Sequence, residues 1–225
     1  VRNLLLILNK INPKDIVLPM LYPFDATYKI TKINEIKEEN SSTRPIIVDV
    51  EIAKNSITKN AKFLIKKDAA IRKEQIVACL IKMLQSKLTY QSQRGNLEQF
   101  DQVPTYDIVV ISDEVGVIEF VRDSMTLRKI AANGYNSLIS YVLDHNGNMQ
   151  VKEIKERILK SLAISSCISY ILGLGDRHLN NIMMNKLGQI FHIDYSYIME
   201  NPKTNILGEP VIKVTKEMID ILGGE

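Results

Sequence analysis

A dense polar cluster lies between two apolar runs in the second half of this 225-residue sequence. Its members are Asp176, Arg177, His178, Asn180 and Asn181. Polar groups between buried segments need hydrogen-bonding partners or a ligand, because leaving them unpaired away from water is costly. A lone histidine in such a loop is most often hydrogen-bonded and idle. Several chemically versatile side chains at this spacing favour a functional site instead.

A second polar group follows after a short turn. A hairpin-like gap at residues 185–189, with Gly188 at the turn, is expected to bring His192 and Asp194 back beside the first cluster. One carboxylate and one amide would then converge from adjacent strand ends and form an oxygen-ligand site suited to Mg²⁺. A histidine nearby can take a proton near neutral pH. The pattern predicts a metal site beside a proton acceptor.

Composition limits the kind of protein that carries these clusters. The chain is 45% hydrophobic and 24% charged, with a net charge of +3, which is typical of a globular protein. That charge is too small to favour nucleic acid as a partner and allows only a weak preference for an anionic surface. No apolar run reaches about 18 residues, so no transmembrane helix is predicted. Two cysteines exclude a disulfide framework and a cysteine-rich zinc site and favour a reducing compartment. Because the chain does not begin with Met, we expect a fragment of a longer protein.

The elements that must position the clusters form a strand-rich first half and a helix-rich second half. Strand patterns occur at 45–53, 62–66, 107–112 and 117–121, with a turn at 114–116. A helix is predicted over 74–88 from apolar residues at helical spacing, which are Ile76, Val77, Leu80, Ile81, Leu84 and Leu88. The polar residues of 89–105 predict a loop, and further helices are predicted around 124–132, 135–144 and 151–172. The halves meet near Arg122, where a ligand cleft between two lobes is expected.

The order of the polar residues resembles that of a known kinase superfamily. Asp176-Arg-His178 is followed by Asn181, and Asp194 lies sixteen residues after His178. This resembles the phosphatidylinositol 3-/4-kinase superfamily, which has an Asp-Arg-His catalytic loop where ordinary protein kinases have His-Arg-Asp. The resemblance implies an α+β, two-lobed kinase-like fold. Its β-rich N-lobe would be residues 1–121, and its helical C-lobe, residues 122–225, would be truncated because the family's further C-terminal helices are missing.

Three other segments extend the resemblance to roughly residues 15–225. Residues 63–76 are similar to the family's strand and helix that carry the ATP lysine and an Asp-Asp-Leu-Arg-Gln-Asp motif. Residues 116–121 and 123–127 resemble the hinge that meets adenine, and residues 40–45 resemble the turn that covers the phosphates. The resemblance therefore implies ATP as the phosphate donor.

For ATP, the resemblance implies that Lys66 pairs with the phosphates and that Glu74 holds this lysine. An ordinary solvated lysine is an equal alternative, and Lys67 is close enough in register to be confused with Lys66. Glu119 and Val121 would offer backbone groups to adenine.

Two further assignments are weaker. Tyr106 would line the pocket below the hinge, although core packing is the stronger interpretation of this residue. Ser41 or Ser42 would touch phosphate through its backbone or hydroxyl, and a plain turn is equally compatible with both.

For catalysis, the resemblance implies that Asn181 and Asp194 hold Mg²⁺, with Mn²⁺ as the alternative metal. His178 would accept the proton of the substrate hydroxyl. Asp176 would orient or assist the histidine, and Arg177 would brace the loop. Phosphoryl transfer depends mainly on such positioning and on charge neutralisation.

The chain departs from the family pattern at two places. A Tyr and Ser196 replace the Phe and Gly of the family's Asp-Phe-Gly, and losing the glycine removes backbone freedom that could restrict the loop. Ala69 and Ala70 replace the two leading acids of the Asp-Asp-Leu-Arg motif, which leaves either Glu74 alone or Glu74 with Asp68 for the lysine. A pseudokinase that binds nucleotide as a scaffold is therefore an alternative.

The segment after Asp194 predicts the substrate. Residues 205–224 are similar to type III phosphatidylinositol 4-kinases, especially the alpha kind, whereas the catalytic loop is more similar to class III 3-kinases. The resemblance implies phosphatidylinositol as substrate, with the 4-hydroxyl slightly favoured over the 3-hydroxyl. Lys203 or Lys213 would contact the lipid phosphate, unless both are merely solvated. A protein Ser/Thr kinase of the related branch is the other alternative. A lipid substrate implies a cytoplasmic protein, peripheral at membranes, with adjacent domains or a regulatory subunit as partners.

Overall fold

The computed structural model describes residues 18–41, 43–94, 103–199 and 214–222. In chain order its elements are β1 (Met20–Leu21), β2 (Lys29–Glu38), β3 (Ile46–Lys54), β4 (Ile57–Lys67), α1 (Ile71–Arg94), β5 (Ile108–Ser112), β6 (Val115–Glu119), β7 (Ser124–Thr126), α2 (Leu127–Ala132), α3 (Leu138–His145), α4 (Val151–Leu172), β8 (Ile182–Asn185), β9 (Ile190–His192) and α5 (Lys216–Leu222). This content confirms the α+β class and agrees with the expected kinase-like fold.

The chain divides into two compact units. The first contains residues 1–78 and 106–122, and the second contains residues 79–105 and 123–225. The chain therefore crosses between the units three times, inside α1 after Ala78, before Tyr106 and after Arg122. The lobe boundary expected between residues 121 and 122 stays a prediction. Within the described residues, no helix is both long enough and apolar enough to cross a membrane.

An antiparallel six-stranded sheet in the order β1-β2-β3-β4-β6-β5 forms the first unit. β3 supplies its core because Val48, Val50 and Ile52 recur at a period of two and are all buried. The four strands predicted from the sequence are present. β4 begins earlier than expected, at Ile57, and β6 begins at Val115, so the turn before it is shorter than the predicted 114–116.

Strand β2 is absent from the sequence-based prediction. Its apolar residues Ile30, Ile33 and Ile36 recur every three residues, which does not fit the period of a regular strand. Register shifts relative to β3 between Ile30 and Lys32 and between Ile33 and Glu35 resolve this mismatch. Each shift adds one residue to β2, so the three isoleucines pair with core residues of β3 that are two apart.

Helix α1 is longer than predicted. It begins at Ile71 rather than at residue 74, and it continues to Arg94, so the expected loop at 89–105 is wrong for residues 89–94. No glycine or proline occurs between Ile71 and Arg94. The Thr89 hydroxyl donates to the carbonyl of Gln85 (2.9 Å), which is compatible with helical backbone. Of the apolar residues used for the prediction, Ile76, Leu80 and Leu88 are exposed rather than in the core.

The second unit packs α2, α3, α4 and α5 with the three-stranded sheet β7-β8-β9. The predicted helix at 151–172 is confirmed as α4. The predicted helix at 124–132 is wrong at its start, because residues 124–126 form strand β7 and pair with β8. Thr126 then caps α2 by accepting a hydrogen bond from the Lys129 backbone (3.2 Å). Helix α3 begins at Leu138, later than the predicted residue 135, because Ser137 and Ser140 form a capping box there.

Candidate active site

Lys66 lies near the end of β4 with its ammonium between two carboxylates. Its Nζ is 2.7 Å from Oε1 of Glu74, in the first turn of α1, and 2.8 Å from Oδ2 of Asp68. The side chains of Lys66 and Glu74 are 8% and 2% exposed. Charges that are this buried persist only when they are paired. The first unit therefore contains a buried, charge-compensated lysine at the position predicted for the ATP lysine.

Lys67 is distinguished from Lys66 by the alternation of the strand. Successive residues of a strand point to opposite faces, and the Lys67 side chain is 56% exposed. It pairs at 3.3 Å with Glu114, which is equally exposed. The solvated strand-end lysine considered from the sequence is thus Lys67, and Lys66 is the buried residue.

The predicted hinge residues follow the end of the strand ladder in the first unit. Glu119 pairs with Phe63 in the last register position between β6 and β4, and its backbone N–H donates to the Asp107 carbonyl (2.8 Å). Oε2 of Glu119 in turn accepts from the Asp107 backbone (3.2 Å). Val121 is half-buried just beyond the strand. These reciprocal bonds fix the backbone in which Glu119 lies.

Tyr106 is buried, 4% exposed, directly before Asp107, the residue that is hydrogen-bonded to Glu119. Ser41 is exposed in the turn between β2 and β3, where its backbone donates to the Glu39 carbonyl (3.0 Å) and accepts from Arg44 (3.2 Å). The turn therefore engages both backbone groups of Ser41. Ser42 lies outside the described residues.

The polar cluster of the second unit starts where α4 ends. Gly173 caps the helix with φ +53°, and a Cβ there would lie 3.2 Å from the backbone of Met199. The chain then pairs with the segment after Asp194, since Gly175 donates to the Tyr197 carbonyl (2.8 Å) and Met199 donates to the Gly173 carbonyl (2.7 Å). Glycine is required at position 173 for its left-handed backbone and for this close approach.

Arg177 joins the two predicted loops through backbone carbonyls. Its Nε donates to Gly175 (2.7 Å), its Nη1 donates to Ile193 (2.8 Å) and its Nη2 donates to Asp194. The residue is 3% exposed. We call these three hydrogen bonds the Arg177 clasp. Only a planar guanidinium presents several donors in such a fixed arrangement, so this arginine holds its own loop and the Asp194 segment together.

Asn181 is 7% exposed and lies directly before β8. Its Nδ2 donates to the Asp176 carbonyl (2.9 Å) and to Oδ2 of Asp176 (3.3 Å), and its own carbonyl accepts from Ile193 (3.0 Å). Because the amide nitrogen is committed to Asp176, the orientation of the amide is fixed. Its Oδ1 accepts no hydrogen bond from any described residue, so it is the atom that remains for a cation.

His178 is exposed on the loop between α4 and β8. Its Nδ1 accepts from the Asn180 backbone (3.2 Å), which assigns the proton of the neutral ring to Nε2. Nε2 lies 3.7 Å from Oδ2 of Asp176. The carboxylate is therefore placed to stabilise the ring when it becomes protonated.

Asp194 follows β9 and has a left-handed backbone, φ +60°. Its Oδ1 accepts from the Ser196 hydroxyl (2.8 Å) and the Ser196 backbone (3.3 Å). Positive φ values in this segment occur at Asp194 and Met199 and not at Ser196. The serine thus occupies the glycine position without left-handed strain, and it orients the carboxylate, which the sequence analysis did not foresee.

A pair of serines on α4 binds the backbone of β9, the strand that precedes Asp194. The backbone N–H of Ile190 in β9 donates to the Ser161 hydroxyl (2.9 Å), and the Ser165 hydroxyl donates to the Ile190 carbonyl (2.9 Å). Both serines are buried at i and i+4. The available sequence signal was the spacing of these serines, four residues apart on the same face of α4 as Ile154, Ile158 and Leu162.

His192 differs from the neighbouring histidine of the loop. Its ring has limited exposure, and its buried Nδ1 has no hydrogen-bonding partner among the residues that the structure describes. Burial, with a smaller effect from the charge of Arg177, lowers the pKa of His192 to about 3. The ring is therefore neutral at physiological pH, and His178 is the histidine of this region that can take part in proton transfer.

The donor set of the second unit fits Mg²⁺. The atoms available at Asn181 and Asp194 are amide and carboxylate oxygens, which are the ligands this hard cation prefers. Among the described residues there is no group of three or more His, Cys, Asp or Glu side chains that could hold a metal. A site of one amide and one carboxylate, completed by phosphate oxygens and water, contains only one such side chain and so would not form a group of this kind.

Comparison with known proteins identifies the family. A family model described as phosphatidylinositol 3- and 4-kinase matches residues 133–225, which include the loop of His178 and the segment of Asp194. The chain belongs to the phosphatidylinositol 3- and 4-kinase family. The resemblance found in the sequence is thus confirmed, and the matched residues contain the whole Arg177 clasp.

Relatives of both specificities are similar to this family member. It is 34% identical over 125 residues to a phosphatidylinositol 4-kinase of Dictyostelium discoideum, covering 53% of this chain and 11% of the relative. It is 32% identical over 170 residues to the nodule isoform of a phosphatidylinositol 3-kinase of Glycine max, covering 72% of this chain and 20% of the relative. A phosphatidylinositol 4-kinase beta of Xenopus laevis is 29% identical over 158 residues, and the match covers 68% of this chain and 19% of the relative. The chain thus spans between a tenth and a fifth of the length of these relatives.

The structure brings the predicted residues together in two groups. Lys66 and Glu74 are in direct contact in the first unit. In the second unit, a network of hydrogen bonds connects the residues predicted for catalysis and metal binding, which are Asp176, Arg177, His178, Asn181 and Asp194. Lys203 and Lys213, predicted to contact the lipid, lie outside the described residues.

Proposed function

We propose that this chain is the catalytic part of a phosphoinositide lipid kinase, which transfers the γ-phosphate of ATP to an inositol hydroxyl of phosphatidylinositol. The observation that carries the proposal is the Arg177 clasp, because it joins the loop of His178 to the segment of Asp194. A proton acceptor and a metal ligand held together in this way are the two functions that phosphoryl transfer to an alcohol needs most. The buried pair of Lys66 and Glu74 supports the ATP assignment.

ATP with Mg²⁺ supplies the phosphoryl group and neutralises the charge that develops on it. Lys66, kept charged by its two carboxylates, would bind the phosphates. The oxygens of Asn181 and Asp194 would hold the metal. Backbone groups of Glu119 and Val121 would position adenine, with Tyr106 below them and Ser41 or Ser42 near the phosphates.

His178 would accept the proton of the inositol hydroxyl at Nδ1, after the Asn180 backbone releases that atom. The Asp176 carboxylate, 3.7 Å from Nε2, would stabilise the resulting imidazolium. Exposure of the ring suits this role, because a lipid headgroup must reach it from solvent. Lys203 or Lys213 would contact the diester phosphate of the lipid.

The position of transfer is proposed as the 4-hydroxyl, slightly favoured over the 3-hydroxyl. The names of the similar proteins include both 3-kinases and 4-kinases. The preference rests on the likeness of residues 205–224 to type III 4-kinases. A lipid substrate further suggests a protein that works at the cytoplasmic surface of membranes, beside adjacent domains or a regulatory subunit.

Turnover of ATP with phosphatidylinositol vesicles, measured beside a generic Ser/Thr peptide, tests the proposal. We expect transfer to the lipid and little to the peptide, and positional analysis of the product then assigns the hydroxyl. Transfer to the peptide alone would favour the protein-kinase alternative. Binding of Mg·ATP without any transfer would favour the pseudokinase alternative, for which the replaced acids at Ala69 and Ala70 are the specific observation.

A further inference from the structure

We propose that Asp68 is a second positioning residue for Lys66 and takes the place of the acids that Ala69 and Ala70 replace. The proposal rests on the proposed function, because it assumes that Lys66 binds ATP phosphates. Asp68 touches no substrate in this scheme; it acts through the lysine. The sequence favoured Glu74 as the residue that holds the ammonium and left Asp68 as a second candidate.

Contacts on every side fix Asp68 between β4 and α1. Its Oδ2 lies 2.8 Å from Nζ of Lys66, and its Oδ1 accepts from the Ala70 backbone (2.8 Å). Its own N–H donates to the Glu114 carbonyl (2.7 Å), and its carbonyl accepts from the Ile71 backbone (3.2 Å). The carboxylate therefore connects the phosphate-binding lysine to the first residues of α1, the helix that also carries Glu74.

Two carboxylates restrict the lysine more than one can. A lysine ammonium is a point charge on a flexible stem with three donors. Directing one N–H to Glu74 leaves the ammonium able to rotate about that bond, whereas a second contact to Asp68 fixes the direction of all three. The Glu74 side chain is 2% exposed and that of Asp68 is 18% exposed, so the second carboxylate is the one nearer to solvent.

The chemistry of Asp68 supports a charged contact. Burial raises the pKa of its carboxyl, but hydrogen bonds from Lys66 and the Ala70 backbone and the charge of Lys66 outweigh that effect. The net pKa lies below the ordinary value, so the group is ionised at neutral pH. The methyl side chains at positions 69 and 70 cannot pair with an ammonium. The acid has therefore been moved toward the strand, and the departure from the family motif is compensated.

Asp68→Asn separates this role from a structural one. The amide oxygen keeps an acceptor for the Ala70 backbone, but the charge that faces Lys66 is lost. We expect Mg·ATP to bind about tenfold more weakly by calorimetry, and the KM for ATP to rise by a similar factor while kcat stays within about threefold. The melting temperature should stay within a few degrees. Lys67→Ala, which removes the neighbouring exposed lysine, is the matched control and should change none of these values.

A relocation variant gives the test its second arm. In Asp68→Ala combined with Ala69→Asp, the carboxylate returns to a position where the family has one, and Mg·ATP affinity should recover to within about threefold of the parent. Affinity equal to the parent in Asp68→Asn, or tighter, would overturn the proposal, because Glu74 alone would then position the lysine. If the parent chain binds no Mg·ATP, the proposed function and this inference both fail. If the parent binds Mg·ATP but transfers nothing to lipid, only the proposed function fails, because the calorimetric comparison still decides the role of Asp68.

Discussion

The guanidinium of Arg177 donates a hydrogen bond to the backbone carbonyl of Asp194, seventeen residues along the chain. This bond is part of the Arg177 clasp, and it holds Asp194 in a backbone conformation, φ +60°, that non-glycine residues seldom adopt. Strained residues of this kind persist only where their surroundings determine them, and they are frequent at active sites. Here the hydrogen bonds from Arg177 to the backbone carbonyls of Ile193 and Asp194 hold Asp194 in this conformation.

Arg177→Lys should therefore remove most of the activity without changing the sign of the charge. A lysine cannot reach three separate carbonyls, so at least one buried acceptor would lose its donor, at a cost of about 1–3 kcal/mol. We expect a clear fall in the free energy of unfolding, measured with urea, and turnover reduced at least tenfold. Arg157→Lys is the control, because Arg157 lies on the surface with an exposed partner, Glu153. Normal turnover in the Arg177 variant would show that the clasp is not needed.

His178→Ala and Asp194→Ala should each abolish turnover, but for different reasons. Loss of the proton acceptor costs on the order of 10² in rate or more, and binding of Mg·ATP should remain nearly intact. Loss of the carboxylate should weaken Mg·ATP binding as well. Single-turnover rates and calorimetry separate the two effects. His145→Ala, at the end of α3, should behave as the parent, and full turnover in either site variant would contradict the assigned role.

Unphosphorylated phosphatidylinositol should be preferred over its 4,5-bisphosphate. Between Asp194 and Thr215 the sequence has two lysines, Lys203 and Lys213, and two acids, Glu200 and Glu209, so its formal charge sums to zero. Each additional phosphate adds up to two negative charges and usually needs a basic partner. Initial rates on the two lipids in matched vesicles measure the preference. Faster phosphorylation of the bisphosphate would mean that basic residues elsewhere bind the headgroup.

Asp49→Asn should lower stability at neutral pH and lose this effect in acid. Asp49 accepts from Nδ2 of Asn34 (3.0 Å) and pairs with Lys62 (2.9 Å) across three strands. Burial raises the pKa of Asp49, but these hydrogen bonds and the lysine charge lower it by more. Since the folded pKa lies below the unfolded value, the carboxylate stabilises the fold above about pH 4 and progressively less as pH falls through the folded pKa.

Urea unfolding of the parent and of the Asp49 variant at pH 7 and near pH 2 measures this difference. It should be about 1 kcal/mol at pH 7 and close to zero in acid. Asp113→Asn is the control, because that side chain is 92% exposed. An unchanged difference at both pH values would mean that the effect comes from packing and not from the charge.

The sequence predicted those elements whose residues follow a single period. Helix α4 was expected at 151–172 and has the same bounds in the structure, because its apolar pattern ends at Gly173. Strand β2 could not be predicted, since its isoleucines are three apart and only bulges against β3 allow them to share a face. The register of β2 is set by its pairing with β3, and the residues of β2 alone do not show which strand it pairs with.

Residue types at the candidate site were predictable, but their relations were not. The order of Asp176, His178 and Asn181 pointed to a kinase loop before any geometry was known. The contacts of Ser196 with Asp194 and of Asp68 with Lys66 depend on the local backbone conformation, which a pattern of residue types does not specify. Both involve departures from the family motif, which sequence comparison alone marks as losses.

The short pairing of residues 173–175 with residues 197–199 has a mechanical consequence. Leu174 faces Ile198 in an isolated bridge, and backbone hydrogen bonds flank it on both sides. The pairing therefore links the end of α4 to the segment that follows Asp194 through backbone hydrogen bonds. Force applied at Met199 would reach Gly173, where the helix ends, as shear across these backbone hydrogen bonds. Gly173 is thus the point at which a displacement of Met199 is transmitted to the end of α4.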